Sequence, residues 1–247
     1  MAGRRTIVPL LLLLAVFAVG MAGVPRQDDF ALARQQMVEE IRTRGGVTDA
    51  PVLAALEAVP RHLFVPESER GAAYADQPLP IGAGQTISQP YIVALMTSLL
   101  DVHPGDRILE IGTGSGYQAA VLARLAREVY SIEIVKSLGD RARRTLTDLG
   151  CRNIKLRIGD GYQGWPNAAP FDGIIVTAAP PRIPEPLLQQ LKTGGRMVIP
   201  VGKGYQNLLV LTKRRDGGYD RRNVMPVFFV PMTGEAQRRV PPGPSLP

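Results

Sequence analysis

The sequence predicts an α/β fold: a doubly wound, mostly parallel sheet with helices on both faces, preceded by N-terminal helices and closed by a C-terminal strand pair. Three observations carry this. From Arg107 onward, short β-rich runs alternate with helical stretches, the rhythm of crossover units joining parallel strands. Before Arg107 the apolar spacing is helical. After Leu208, two β-rich runs flank Asp216-Gly217-Gly218, a hairpin signal.

In chain order, Arg4 and Arg5 precede an apolar run over 7–19 and the small residues Gly20, Ala22 and Gly23. That is the pattern of a secretory signal over 1–24. Such a run reads as a cleaved export signal, as a short membrane anchor, or as the product of a start codon set too early, with Met21 or Met37 the true beginning. The first reading predicts an exported or periplasmic protein, and the last a cytoplasmic one. Pro9 and the glycines make the run a poor spanning helix. Residues 25–33 read as a linker, and a helical spacing of Phe30, Ala33, Met37 and Ile41 runs on until Gly45-Gly46 stops it. Thr48 and Asp49 are caps for a second helix, which Pro60 ends. A helical turn is expected at 67–74, a Pro/Gly-rich loop at 76–90 and a helix at 92–100. Strands are then expected at 107–111, 129–134, 154–158, 171–177 and 195–201, with helices at 116–127, 136–149 and 186–191. The final strands are placed at 208–213 and 223–230. The main domain spans 34–237, and 238–247 is a flexible tail.

Composition narrows the function. The chain has 247 residues, 45% hydrophobic and 21% charged, enough for a sizeable core and unlike a disordered chain. A single cysteine, Cys151, excludes an internal disulfide and a cysteine-based zinc cage. His62 and His103 are too few for a multi-histidine metal site, so no metal is expected. The net charge is +7, with an excess of basic residues over 213–239. This cluster reads as a solvated edge hairpin whose charges resist aggregation, so no nucleic-acid partner is expected.

The chemistry lies in the loop Glu110-Ile-Gly112-Thr-Gly114-Ser-Gly116, between a strand and a helix. Glycines let the backbone turn sharply and approach a ligand. Helix N–H groups follow them. Glu133 ends the next strand, where an acid accepts hydrogen bonds from ribose hydroxyls. Gly159-Asp160-Gly161 follows the third strand and places a second carboxylate at the same rim, able to bind an exocyclic amine. Each alone reads equally well as a tight turn or a surface acid; three successive strand ends around one crevice do not. The spacing is not the Gly-x-Gly-x-x-Gly of dinucleotide sites. Glu110 would repel a pyrophosphate and suits a cationic ligand. No Gly-Lys-Ser/Thr follows, which excludes a P-loop.

Glu110-x-Gly-x-Gly-x-Gly resembles the first motif of class I methyltransferases that use S-adenosyl-L-methionine. Ile108 to Gln118 resembles the protein-L-isoaspartate O-methyltransferases in particular. So do Val59-Pro-Arg-His-Leu-Phe-Val-Pro66, Gln85-Thr-Ile-Ser-Gln-Pro-Tyr91, Gly159-Asp-Gly161 and Phe229-Val-Pro-Met-Thr233. The resemblance implies a repair enzyme that methylates the free α-carboxylate of L-isoaspartyl residues in damaged proteins and peptides. It places Ser88 at the active centre and cofactor contacts at Gly112, Gly114, Glu133, Asp160 and Gly161. Ile87 and Thr233 fall near the sulfonium or the substrate, and Gly116 completes the loop. Glu110 and Asp160 are expected as acids near the sulfonium. A monomer is expected, with membrane contact only through an uncleaved leader. Two features depart from the family: the export-like leader, since the cofactor is cytosolic, and Tyr91, where some relatives carry histidine.

A substrate carboxylate is already ionised near neutral pH, so in-line methyl transfer needs alignment more than a base. Ser88 is expected to aim that carboxylate, and the loop over 78–90 to offer main-chain hydrogen bonds to an extended substrate. His62 and His103 read as structural or exposed, and Cys151 as an inert thiol. Trp165 reads equally as a wall of an adenine pocket or a packing anchor. Arg61 reads as a tie between the N-terminal helices and the sheet more than as a carboxylate binder. The competing readings are a class I methyltransferase acting on a small molecule or RNA, and a non-catalytic module that binds S-adenosyl-L-methionine. The Thr-Ile-Ser-x-Pro element separates the first of these from the isoaspartyl enzymes.

Overall fold

A computed structural model of the chain describes residues 27–238. The leader expected over 1–24 and all but the first residue of the tail expected over 238–247 lie outside the described residues. Two helices, α1 (Gln27–Thr43) and α2 (Ala50–Ala58), lead through 3-10 turns at Arg61–Phe64 and Glu67–Ala72 to a small hairpin, β1 (Leu79–Gly82) and β2 (Gln85–Ile87). Helix α3 (Pro90–Leu100) follows. The wound region is β3 (Arg107–Ile111), α4 (Tyr117–Ala123), β4 (Glu128–Glu133), α5 (Lys136–Asp148), β5 (Ile154–Ile158), β6 (Phe171–Val176), α6 (Glu185–Gln189) and β7 (Leu191–Val201). The chain closes with β8 (Gln206–Lys213), β9 (Tyr219–Val227) and the short α7 (Glu235–Arg238).

The seven-stranded sheet has the order β5-β4-β3-β6-β7-β8-β9. Pairs from β5 through β7 are parallel, and β8 and β9 add antiparallel at one edge, as the alternation predicts. Alternate strand residues face opposite layers. Ile108, Val129, Ile175 and Val198 pack toward α3 and α4, whereas Leu109, Ile132, Ile174 and Met197 pack toward α6. From β3 the chain winds outward to β4 and β5, then returns to β6 on the other side. That reversal opens a crevice at the C-terminal ends of β3 and β6, the usual ligand position in open α/β sheets.

Several expected boundaries change: α4 ends at Ala123 and not 127, β7 starts at Leu191 and not 195, and β9 runs Tyr219–Val227 and not 223–230. The stretch expected as a linker over 25–33 is largely helix, because α1 starts at Gln27. The segment expected as loop over 76–90 contains the β1–β2 hairpin. Leu79, Ile81 and Ile87 are buried while Pro80, Gly82 and Thr86 are exposed, a period of two that the prolines and glycines conceal. Ala83 and Gly84 make its turn at positive φ. Asp49 caps α2 as expected, accepting the Val52 N–H. Of the basic cluster, Lys213 to Arg222 lie on the β8–β9 hairpin, whose edge strand β9 exposes Arg221 and Arg222.

Candidate active site

The glycine loop leaves β3 at a bend that only glycine tolerates. Gly112 has φ +95°, and a Cβ there would stand 2.5 Å from Thr177 Oγ1. Thr177, just past β6, donates its hydroxyl to Gly112 O at 2.6 Å and its N–H to Ile111 O at 2.9 Å. Glu133 braces the loop from β4: Oε2 accepts the Gly114 N–H at 2.7 Å and Oε1 accepts the Val135 N–H at 2.8 Å. Gly112, Gly114, Glu133, Gly161 and Thr233 line one cavity, together with Thr86, Ile111 and Thr177. Gly161 leaves no room for a side chain, since a Cβ would fall 2.4 Å from Ile111 Cγ2.

Ser88 sits where two further spaces meet. On the inner side it lines a narrow pocket with Ile87, Gly112 and Gly114. On the outer side it lines an open cleft of about 460 Å³ with Tyr91, Met225, Phe228 and Phe229. Thr86 and Thr177 line all three spaces. The loop carrying Ser88 is held from below by Arg61, which is fully buried. Its Nη2 donates to Ser88 O and its Nε to Ala73 O, both at 2.7 Å, and its guanidinium lies 4.9 Å from the Tyr117 ring centroid. Burial lowers the Arg61 pKa to about 10, which leaves it charged at neutral pH. Arg61 is thus a tie, fixing the serine loop against the start of α4.

Two expected cofactor residues, Glu110 and Gly116, face away from the cavity, and a third, Asp160, is at the rim but engaged by the chain itself. Glu110 does not reach the crevice. It is fully buried, paired in register with Ser131 and Ile175, and accepts a hydrogen bond from Ser131 Oγ, which in turn meets Thr113 Oγ1. Burial, reinforced by the neighbouring Glu133 charge, outweighs the Ser131 bond and pushes the Glu110 carboxyl up to about 8. At neutral pH it is mostly uncharged, an internal brace and not an acid for a sulfonium. Gly116 faces α5 instead of the cavity, and a Cβ there would press on Ala142 and Leu146 at 3.3 Å. Asp160 ties the chain's own backbone: Oδ1 accepts the Tyr162 N–H at 2.9 Å and Oδ2 the Glu235 N–H at 2.7 Å. It thereby holds the segment after Pro231–Thr233 against the rim. The cavity beside that segment adjoins the narrow pocket inside Ser88, with Thr86, Gly112, Gly114 and Thr177 lining both.

Glu110 gives a pH signature. Unfolded, its carboxyl ionises near the ordinary 4.5; folded, near 8. Between these values the folded state holds the extra proton, so stability falls as pH rises from about 5 to about 8 and then levels. The expected slope is about 1 kcal/mol per pH unit. Urea midpoints across this range should fall for the wild type, and Glu110→Gln should remove that component. Comparing the two separates Glu110 from His62, whose pKa is lowered by burial and which destabilises the fold in acid.

The remaining side chains are structural. His62 stacks on Phe30 with centroids 4.1 Å apart and hydrogen-bonds the Tyr74 hydroxyl at 2.8 Å. His103 is largely exposed. Cys151 is half-buried, with its thiol pKa raised by burial. Trp165 packs edge-on against Tyr130 and under Arg157, so it anchors the sheet and does not line the cavity. Sequence reasoning missed Thr177 and Thr86. Thr86 lies inside the quoted Thr-Ile-Ser element. For Thr177, the only signal was its place at the end of a strand beside β3.

A parallel sheet with a crevice at its turning point, a glycine-rich loop after the first parallel strand and an acid ending the next define a class I methyltransferase fold. The family described as "Protein-L-isoaspartate(D-aspartate) O-methyltransferase (PCMT)" matches residues 32–237. The chain belongs to this protein-L-isoaspartate O-methyltransferase family. Protein-L-isoaspartate O-methyltransferase 2 of Polaromonas sp. is 56% identical over 203 residues, which are 81% of this chain and 96% of the relative. A solved protein-L-isoaspartate O-methyltransferase superposes with a TM-score of 0.74 at 30% identity, covering 82% of this chain and 67% of the other. A Plasmodium falciparum structure in complex with S-adenosyl-L-homocysteine superposes with a TM-score of 0.73 at 27% identity, covering 81% and 98%.

Proposed function

We propose that this chain transfers the methyl group of S-adenosyl-L-methionine to the free α-carboxylate of L-isoaspartyl residues in proteins and peptides, a repair reaction. The observation that carries this is the position of Ser88, whose residue lines both the pocket against the glycine loop and the open cleft. The chain's residues suit the cofactor: close-approach glycines, and a carboxylate at the end of β4 with lone pairs left for ribose hydroxyls. When bound, S-adenosyl-L-methionine supplies an electrophilic methyl on a cationic sulfur.

The chain's own task is alignment. The substrate carboxylate enters by the open cleft, already ionised, so no side chain must remove a proton. Ser88 donates a hydrogen bond to one carboxylate oxygen and turns the other toward the donor cavity. Arg61, through the Ser88 carbonyl, fixes the backbone that carries this hydroxyl. Thr86 and Thr177 wall the passage and limit its width. The test is methyl incorporation into an isoaspartyl peptide and its aspartyl twin: labelling of the first only is expected, and equal labelling would contradict the reading.

The pattern over 1–24 supports an exported protein, and we place it outside the cytoplasm. N-terminal sequencing of fractionated native protein reads this directly: a start at Met37 in the cytosol would contradict it. The enzyme acts as a monomer, a state that light scattering measures.

A further inference from the structure

Among the described residues the two most exposed large apolar side chains, Phe228 at 90% and Tyr205 at 70%, lie at one rim. Gln206 pairs with Val227 in the last rung of the β8–β9 ladder, and Tyr205 and Phe228 are the next residues beyond it. Single exposed apolar residues are ordinary, but Phe228 stands at the entrance to a site. Phe228 itself lines the open cleft with Ser88 and Tyr91. Its outward direction is built in. The next residue, Phe229, is buried in the core with Ile92 and Met96. Its backbone is clamped by the buried Gln206 side chain, whose Oε1 accepts the Phe229 N–H at 2.7 Å and whose Nε2 donates to Phe229 O at 2.9 Å. With Phe229 held in the core by this clamp, Phe228 is left exposed at the mouth of the cleft that both residues line. Ile92, Met225 and Val227 add apolar lining, while Thr86, Ser88, Gln89 and Thr177 are its polar members.

We propose that Phe228 is a specificity-determining residue that docks an aromatic or large aliphatic side chain flanking the isoaspartate of the protein substrate. The proposal rests on the isoaspartyl methyltransferase reading. The occupant is the substrate chain because this cleft is continuous with Ser88: a carboxylate held by Ser88 leaves the rest of its peptide to cross the Phe228 wall. An extended segment binds through its main chain, which tolerates many sequences, and one apolar contact adds a preference among them. An aromatic pair contributes modestly beyond its buried area, so the preference is a ratio of rates and not an absolute requirement.

The test uses isoaspartyl peptides that carry glycine throughout, or phenylalanine at one flanking position in turn. For the wild type, phenylalanine at one position should lower KM about fivefold with kcat unchanged. Phe228→Ala should treat that peptide and the glycine peptide alike, and Phe228→Tyr should keep the preference. Equal KM for all peptides with the wild type, or a preference that survives Phe228→Ala, would overturn the proposal while leaving the methyltransferase reading intact. A dimer that Phe228→Ala converts to a monomer, without any flank preference, would show a second copy as the occupant and also overturn it. Methylation of no isoaspartyl peptide would instead defeat the underlying reading.

Discussion

Ser88→Ala should lower kcat/KM for an isoaspartyl peptide about a hundredfold and leave S-adenosyl-L-homocysteine affinity unchanged. The hydroxyl is proposed to aim and not to exchange protons, so its loss misplaces a nucleophile that remains ionised. The penalty is therefore one of geometry. It should be the same across neutral pH, because no titrating group is removed. The backbone at this position is held independently by Arg61, fully buried beneath the Ser88 carbonyl, so the substitution deletes one hydroxyl without releasing the loop. Steady-state kinetics with calorimetry of the cofactor product separate the two effects. A variant with full rate would remove the aiming role, and one with weakened cofactor binding would make Ser88 part of the loop's support instead.

Glu133→Ala should act on the other partner. Its two carboxylate oxygens accept the Gly114 and Val135 N–H groups, so alanine leaves both donors without that acceptor and frees the glycine loop. It also removes the group proposed to hold ribose hydroxyls. Hydrogen bonds to a charged group contribute about 1.5–3 kcal/mol each, and the expected loss of cofactor affinity is about a hundredfold. At saturating cofactor, kcat should fall much less than for Ser88→Ala, since the carboxylate remains aimed. Glu133→Gln should lie between, because one oxygen still accepts. Calorimetry with S-adenosyl-L-homocysteine reads this, and an unchanged affinity would place the nucleoside elsewhere.

The parallel part of the sheet was legible because its central strands are buried on both faces and separated by helices with clear stops. β3 and β5 fall where the residue pattern puts them. The β1–β2 hairpin was not, because Pro78, Pro80, Gly82 and Gly84 read as loop, and only packing shows that Leu79, Ile81 and Ile87 share a buried face. Within the site, residues that touch the crevice through backbone needs were legible: Gly112 and Gly161 are glycines because nothing larger fits. Glu110 was expected at the crevice and is buried instead. It adjoins the rim in sequence, but its side chain is committed to the sheet interior with Ser131. Gly116 follows the same glycine pattern and meets a helix instead of the cavity. Asp160 does reach the rim, where it engages backbone N–H groups of its own chain. Thr177 was out of reach of sequence reasoning for a different reason. It meets Gly112 only through the parallel register of β3 and β6, a contact between segments far apart in the chain.

The central claim is that the serine loop and the glycine loop together bring a methyl donor in line with a carboxylate at Ser88. A crystal structure with S-adenosyl-L-homocysteine and an isoaspartyl peptide measures it most directly. The predicted result has the nucleoside against Glu133, in the cavity that Pro231–Thr233 lines. The sulfur points through the Thr86–Thr177 passage, in line with a carboxylate oxygen whose partner accepts the Ser88 hydroxyl. A sulfur turned toward Gly161 and away from that passage, or a peptide carboxylate bound out of reach of Ser88, would contradict it.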